Sequence, residues 1–219
     1  MGWFDQFKKK SSTESEATKA PGWDAITETF ETLYPGQTDP RHYAPLISMR
    51  LGGNDPLDGI SIYDGGDYWH FVTYGFSELY EKECEDPEYS GYGMEMTFKL
   101  KKDSCENTED EIKCVCGILQ TLARMTFQNN EVFLPYEYIY TGQIEGIDAN
   151  CKSNITGFIT VPETKVAEIH TPNGIVLFVE LVGATDPELK GIYEKKYSVK
   201  DLYEKLGTDV TSYHRQSVL

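Results

Sequence analysis

The sequence predicts an α+β domain, a mixed and largely antiparallel β-sheet flanked by helices. Three observations carry that expectation. Met94, Met96, Phe98 and Leu100 alternate with Glu95, Thr97, Lys99 and Lys101, which is the two-residue period of a strand. The segment EDEIKCVCGILQTLARMTFQN instead sets Ile112, Val115, Leu119, Leu122 and Thr126 along one helical stripe. The run TPNG at 171–174 separates two strand-like segments, and Asn and Gly tolerate the positive φ of a tight hairpin.

Residues 1–20 are rich in Ser, Thr, Lys and Glu around one aromatic cluster, Trp3, Phe4 and Phe7, followed by Lys8, Lys9 and Lys10. A flexible tail is expected, with a partner-docking or membrane-surface segment as the functional reading. It lacks the apolar core of a secretory signal, and Gln6 stands where a myristoylation pattern requires Ser or Thr. From Pro21, a residue suited to opening a helix, Trp23, Ile26, Phe30 and Leu33 recur at spacings of three and four until Pro35-Gly36 ends the pattern.

The segments YAPLISMRL, GISIY, YWHFVTYGF and GYGMEMTFKLK follow as strands, separated by Gly, Asp or Pro. Alternation in the last of them predicts one buried and one wet face, hence an antiparallel or edge strand. Acidic residues at the start of the second helix suit its macrodipole. Then VFLPYEYIYTGQI is expected to be extended, ITGFITV, KVAEIHT and GIVLFVELVG to be short strands, and DPELKGIYEKKYSVKDLYEKLG to form two short helices. The folded domain is placed at 21–210 and a C-terminal tail at 211–219.

The 219 residues are 39% apolar and 26% charged, enough to bury a core without cross-links. Twenty Lys and Arg face 36 Asp and Glu, a net charge of −16, and the tail carries none of that excess. Such a chain repels phosphate backbones, so no nucleic-acid partner is expected. No run approaches the roughly 18 apolar residues of a membrane span. Five cysteines at irregular spacing favour free thiols in a reducing cytoplasm; Cys114 and Cys116, one residue apart, do not suit a zinc knuckle. No metal or other cofactor is expected.

One constellation invites chemistry. NDPLDGISIYDGGDYWH brings Asp55, Asp58, Asp64, Asp67 and His70 together in sequence, where carboxylates could gather a hard cation or orient His70 as a base. A metal-dependent enzyme is therefore the alternative function. Against it, the spacing is not that of an EF-hand, Asp-Pro and Asp-Gly are ordinary turn formers, and no nucleophile accompanies His70. No phosphate-binding loop, dinucleotide fingerprint or nucleophile elbow is present. Acidic clusters at 78–88 and 103–111 read as solvated loops or as a surface that steers a basic partner, and Tyr136, Tyr138 and Tyr140 share one face of a strand where aromatics serve contact or core alike.

The blocks LGGNDPLDGISIY, YWHFVTYGFSELY, SGYGMEMTFKLK, LARMTFQ and TPNGIVLFVELVGATDPEL resemble, in order and approximate spacing, those of the Suppressor of fused domain, across about residues 24 to 206. The resemblance implies a mixed α/β domain without catalytic activity that binds other proteins. The larger animal relatives restrain a transcription factor of the Hedgehog pathway by gripping an extended peptide between this domain and a second, C-terminal one, for which this chain is too short. The MGWFDQFKKK start resembles bacterial proteins, whose short family members are regarded as immunity proteins that neutralise polymorphic toxins. The resemblance thus implies a cytoplasmic, non-enzymatic protein that occludes a partner, here a basic toxin domain; a regulatory scaffold that sequesters a protein is the further alternative. The family clamp contributes contacts after LARMTFQ, so Tyr138, Tyr140, Glu145 and Asp148 are the candidate partner-binding residues. Gly52, Gly53, Asp55, Pro56, Asp58, Trp69 and His70 are assigned to maintaining the fold.

Overall fold

A computed structural model describes residues 19–219, so most of the expected N-terminal tail lies outside the described residues. Helix α1 spans Pro21–Leu33, with Pro21 in the first turn as its fixed φ allows. Strand β1 covers Arg41–Tyr43 and pairs antiparallel with β2, Gly59–Asp64. The longer strand expected over YAPLISMRL does not form: after Tyr43 the chain becomes irregular and makes a 3-10 turn at Met49–Leu51. Its apolar residues are largely exposed, so they have no sheet face to fill.

Strands β3 (Tyr68–Tyr74) and β4 (Tyr89–Lys101) continue the antiparallel order, followed by α2, Thr108–Asn129. The Asn107 side chain caps α2 by accepting from the Glu109 N–H at 3.1 Å, and three acidic residues occupy the first turn. The segment after α2 is mostly irregular, with a two-residue strand β5 at Tyr138–Ile139. Strands β6 (Ile155–Pro162), β7 (Glu168–Thr171) and β8 (Gly174–Thr185), helices α3 (Asp186–Tyr193) and α4 (Val199–Leu206), and β9 (Val210–Thr211) complete the described chain.

The strands form one mixed sheet, ordered β1-β2-β3-β4-β8-β6-β5, with β7 hairpinned onto the first half of β8 and β9 lying beside the end of β4. The hairpin falls where TPNG predicted it. Helix α2 covers one face, packing Ile112, Val115, Leu119 and Leu122 onto Met94, Met96, Phe98 and Leu100. Two clusters cover the opposite face: α1 puts Ile26 and Phe30 on Tyr63, Val72, Tyr74 and Phe178, while α3 and α4 put Leu189, Ile192 and Leu202 on Ile159, Val161, Val182 and Ala184.

β4 has the expected antiparallel pairing on its β3 side, but it is not an edge strand and has no wet face. It is central, antiparallel to β3 but parallel to β8 and β9, and Glu95, Thr97 and Lys99 are fully buried. The alternation marked a polar seam on the face shared by α1 and α3. Register places Lys99 beside His70, and Thr97 beside both Val72 and Glu180.

Lys99 Nζ contacts Glu163 Oε1, lies 2.8 Å from Asp209 Oδ2 and 3.4 Å from Glu180 Oε2, so one ammonium draws three carboxylates from three segments. Burial opposes its charge, but Glu180 and Glu163 hold its pKa above the ordinary lysine value. Glu180 also accepts from Thr97 Oγ1 at 2.5 Å and the Lys99 N–H at 2.9 Å. Even so, burial pushes its carboxyl up to about 8. Glu95 accepts from Thr73, Gly75 and Ser77, and burial pushes it up to about 7.

The segment 211–219, expected to form a tail, lies against the body: Tyr213 is buried in the α2-side core, and Arg215 donates to both Glu188 oxygens at 2.7 and 2.6 Å. The five cysteines are free thiols, as the sequence indicated.

Lys99→Met should cost about 3–5 kcal/mol in urea unfolding, because it strands buried carboxylates. A second expectation concerns pH. Glu180 and Glu95 bind protons more tightly when folded than at their ordinary value of 4.5, so their contribution is complete below that value and lost as pH rises through about 7 and 8. Glu180→Gln should flatten the decline of the urea midpoint between about pH 4.5 and pH 8; an unchanged slope would remove Glu180 as its source.

Candidate partner-binding site

The acidic residues flanking His70 in sequence do not meet it in space as a ligand set. Asp55 pairs with Arg124 of α2 at 2.5 Å, and the Asp58 N–H joins the Tyr74 carbonyl at 2.9 Å. Asp64 accepts from the Gly66 N–H at 2.8 Å and from Lys102, whose hydrogen bond holds its pKa below the usual carboxylate value. Asp67 is exposed in the β2–β3 turn, its carbonyl accepting from the Lys102 N–H. These are turn and anchor roles.

His70 lies buried within the polar seam, its Nδ1 2.7 Å from the Tyr34 hydroxyl. Burial, and then the Lys99 charge, push its pKa well below the ordinary value, so the imidazole is neutral. Its Nε2 has no hydrogen-bond partner and stands 4.0 and 3.9 Å from Glu163 and Glu180. Those three form the metal-competent cluster found among the described residues. Lys99, however, already supplies a cation to the same two carboxylate oxygens. The five-residue grouping behind the enzyme alternative is thus corrected: alternating strand geometry sends His70 inward while the aspartates stay at turns and strand ends.

The segment after α2 builds a different kind of site. Thr160 of β6 fastens its first half, donating its hydroxyl to the Leu134 carbonyl at 2.6 Å and its N–H to the Glu137 carbonyl at 2.9 Å, while accepting the Tyr136 N–H at its own carbonyl at 2.7 Å. Tyr136 takes a φ of 71°, a left-handed turn that leads the chain into β5. β5 then pairs Tyr138 with Ile159 and Ile139 with Phe158 and ends the sheet. Its close approach requires Gly157, where a Cβ would stand 2.4 Å from the Ile139 carbonyl oxygen.

Between β5 and α2 runs an apolar groove of about 400 Å³, lined by Ile118, Leu122, Met125, Ile139, Ile147 and Phe158. Cys114 sits at its side with its thiol donated to the Ile147 carbonyl at 3.2 Å, and burial pushes the thiol up to about 11, so it is an inert wall. Thr156, also in the wall, has a buried hydroxyl without a partner.

None of the four sequence-selected residues lines this groove. Tyr138 is 39% exposed on β5 and Glu145 is exposed in the following loop. Tyr140 donates its hydroxyl to Asp186 at 2.9 Å, which ties the segment to α3. Asp148 is buried: burial would raise its pKa, but the Lys152 and Ser153 N–H groups, at 3.0 and 2.7 Å, hold it below the usual carboxylate value. Sequence reasoning missed Ile118 and Met125. Their signal was available as a second apolar spacing of seven on α2, outside the main stripe.

Comparison with known proteins follows the same lines. The family model described as Suppressor of fused protein (SUFU) matches residues 53–216. The human and mouse Suppressor of fused homologs are each 29% identical over 183 residues, covering 77% of this chain and 36% of the relative, so the chain spans about a third of their length. The Sufu-Fu complex crystal structure superposes with a TM-score of 0.76 at 28% identity, covering 91% of this chain and 93% of that chain. Drosophila Suppressor of Fused gives the same score and identity over 91% and 52%. A SUFU homolog from Neisseria gonorrhoeae, 11% identical with a TM-score of 0.55 over 90% and 97%, shares the fold.

Gly157→Ala should drive β5 off β6 and cost about 1–3 kcal/mol, with faster amide exchange confined to 136–140 and 157–160. An unchanged exchange pattern would contradict the close-approach requirement.

Proposed function

The chain belongs to the Suppressor of fused family, and from that premise we propose that it is a protein-binding domain whose partner lies along the groove between α2 and β5. The relatives bear the name Suppressor of fused, and one solved relative is described in complex with Fu. The observation that carries the reading is the pairing of an end strand with an apolar groove. Tyr138 and Ile139 pair with β6 on one side; the outward edge of β5 can accept a partner strand whose alternate side chains enter the groove. Affinity would then come from main-chain hydrogen bonds and specificity from the pocket.

The net charge of −16 selects the partner's sign, since opposite charge accelerates capture and like charge suppresses wrong encounters. We therefore extend the proposal to an immunity protein of the cytoplasm that occludes a basic toxin domain. Among the described residues no helix is long and apolar enough to cross a membrane.

Affinity purification from the native host, followed by co-expression of each recovered protein, tests this reading. The intact chain should restore growth against a toxic partner. Met125→Lys, which puts a charge into the groove at an exposed helix position, should weaken partner binding by about ten-fold or more while changing stability by less than about 0.5 kcal/mol. Unimpaired binding by this variant would locate the interface elsewhere.

A further inference from the structure

A second apolar face lies away from the β5 groove. The turn before β2 leaves Leu46, Ile47 and Leu51 largely exposed, at 105%, 57% and 82% of their full areas, with Met49 beside them. Met49 also lines a depression of about 340 Å³ whose other walls include Pro56, Phe76, Leu79, Tyr92 and Phe127. Clusters of exposed aliphatic side chains adjoining such a depression mark contact surfaces. Along the same stretch of chain, Glu81, Glu85 and Glu88 are exposed.

The described chain begins at this face. The Gly22 N–H donates to the Leu79 carbonyl at 2.9 Å, so Lys19 and Ala20 enter beside the depression. The preceding residues carry three aromatics, Trp3, Phe4 and Phe7, and then Lys8, Lys9 and Lys10. Their order matches the surface: aromatic groups for the apolar depression and its rim, then three cations for the acidic strip. From Phe7 to Lys19 is 12 residues, a reach of at most about 40 Å. A tether of that length holds the segment near its target at millimolar effective concentration, enough to occupy a site whose intrinsic affinity is weak.

We propose that the segment Trp3–Lys10 covers this face in cis, its aromatic side chains on Leu46, Ile47, Met49, Leu51 and the depression, and its lysines on Glu81, Glu85 and Glu88.

Hydrogen exchange on the full chain tests the proposal. Replacing Trp3, Phe4 and Phe7 together by Ala should speed exchange of amides in 46–51, 76–83 and 89–92 by about five-fold or more, with the rest of the chain unchanged. Charge reversal through Lys8→Glu, Lys9→Glu and Lys10→Glu should do the same, and about 0.5 M salt should reproduce its effect on the unmodified chain. Both variants leave every described residue unaltered, and unchanged exchange in α2, β4 and β8 checks that the fold persists. No change in either variant would overturn the proposal. So would protection that rises with protein concentration, which would identify a second copy as the cover.

Discussion

A lysine at the centre of a sheet must find its counter-charge inside the protein, and most of this architecture is arranged around that requirement. Lys99 is drawn to Glu180 on the neighbouring parallel strand, to Glu163 just beyond β6, and to Asp209 just before β9. Those contacts join segments that no local rule would bring together. Buried ions attract strongly in low dielectric but also cost much desolvation, so such a cluster specifies an arrangement more surely than it adds net stability. The seam also divides the covering layer: α1 packs on one side of it and α3 with α4 on the other.

Two surfaces, each lined in part by α2, leave apolar groups available to ligands. The β5 groove lies on the α2 face, where a short end strand and an exposed helical edge leave an apolar channel. The second surface gathers around the β3–β4 connection and the turn at Met49–Leu51, near where α1 begins. Neither requires a rearrangement of the core. The titratable groups in the seam are buried and committed to one another, so they shape the scaffold that holds both surfaces in place.

Turn chemistry and strand polarity account for the residues that first suggested catalysis. The Asp55 carboxylate is spent on an ion pair and that of Asp64 on a turn and a lysine contact. His70, sharing their stretch of sequence, lies within β3 with its side chain in the buried seam. Proximity along a strand-turn-strand segment is thus a poor guide to proximity of side chains, whereas register across strands placed His70 beside Lys99.

The two long helical patterns, the hairpin at TPNG and the buried character of β8 were determined by the sequence itself, because apolar periodicity and turn residues are local properties. Family blocks spread along the chain carried the remainder of the fold class. Tertiary structure alone decided that β4 is central and that its polar alternates are buried. Glu95, Thr97 and Lys99 have the pattern of a solvated face, and only partners 18 to 110 residues away in the chain turn them into a satisfied interior. The same is true of the groove: Ile118 and Met125 are ordinary helix residues until β5, admitted by Gly157, comes alongside. Local pattern reports which side chains prefer water, but long-range pairing determines which of them obtain it.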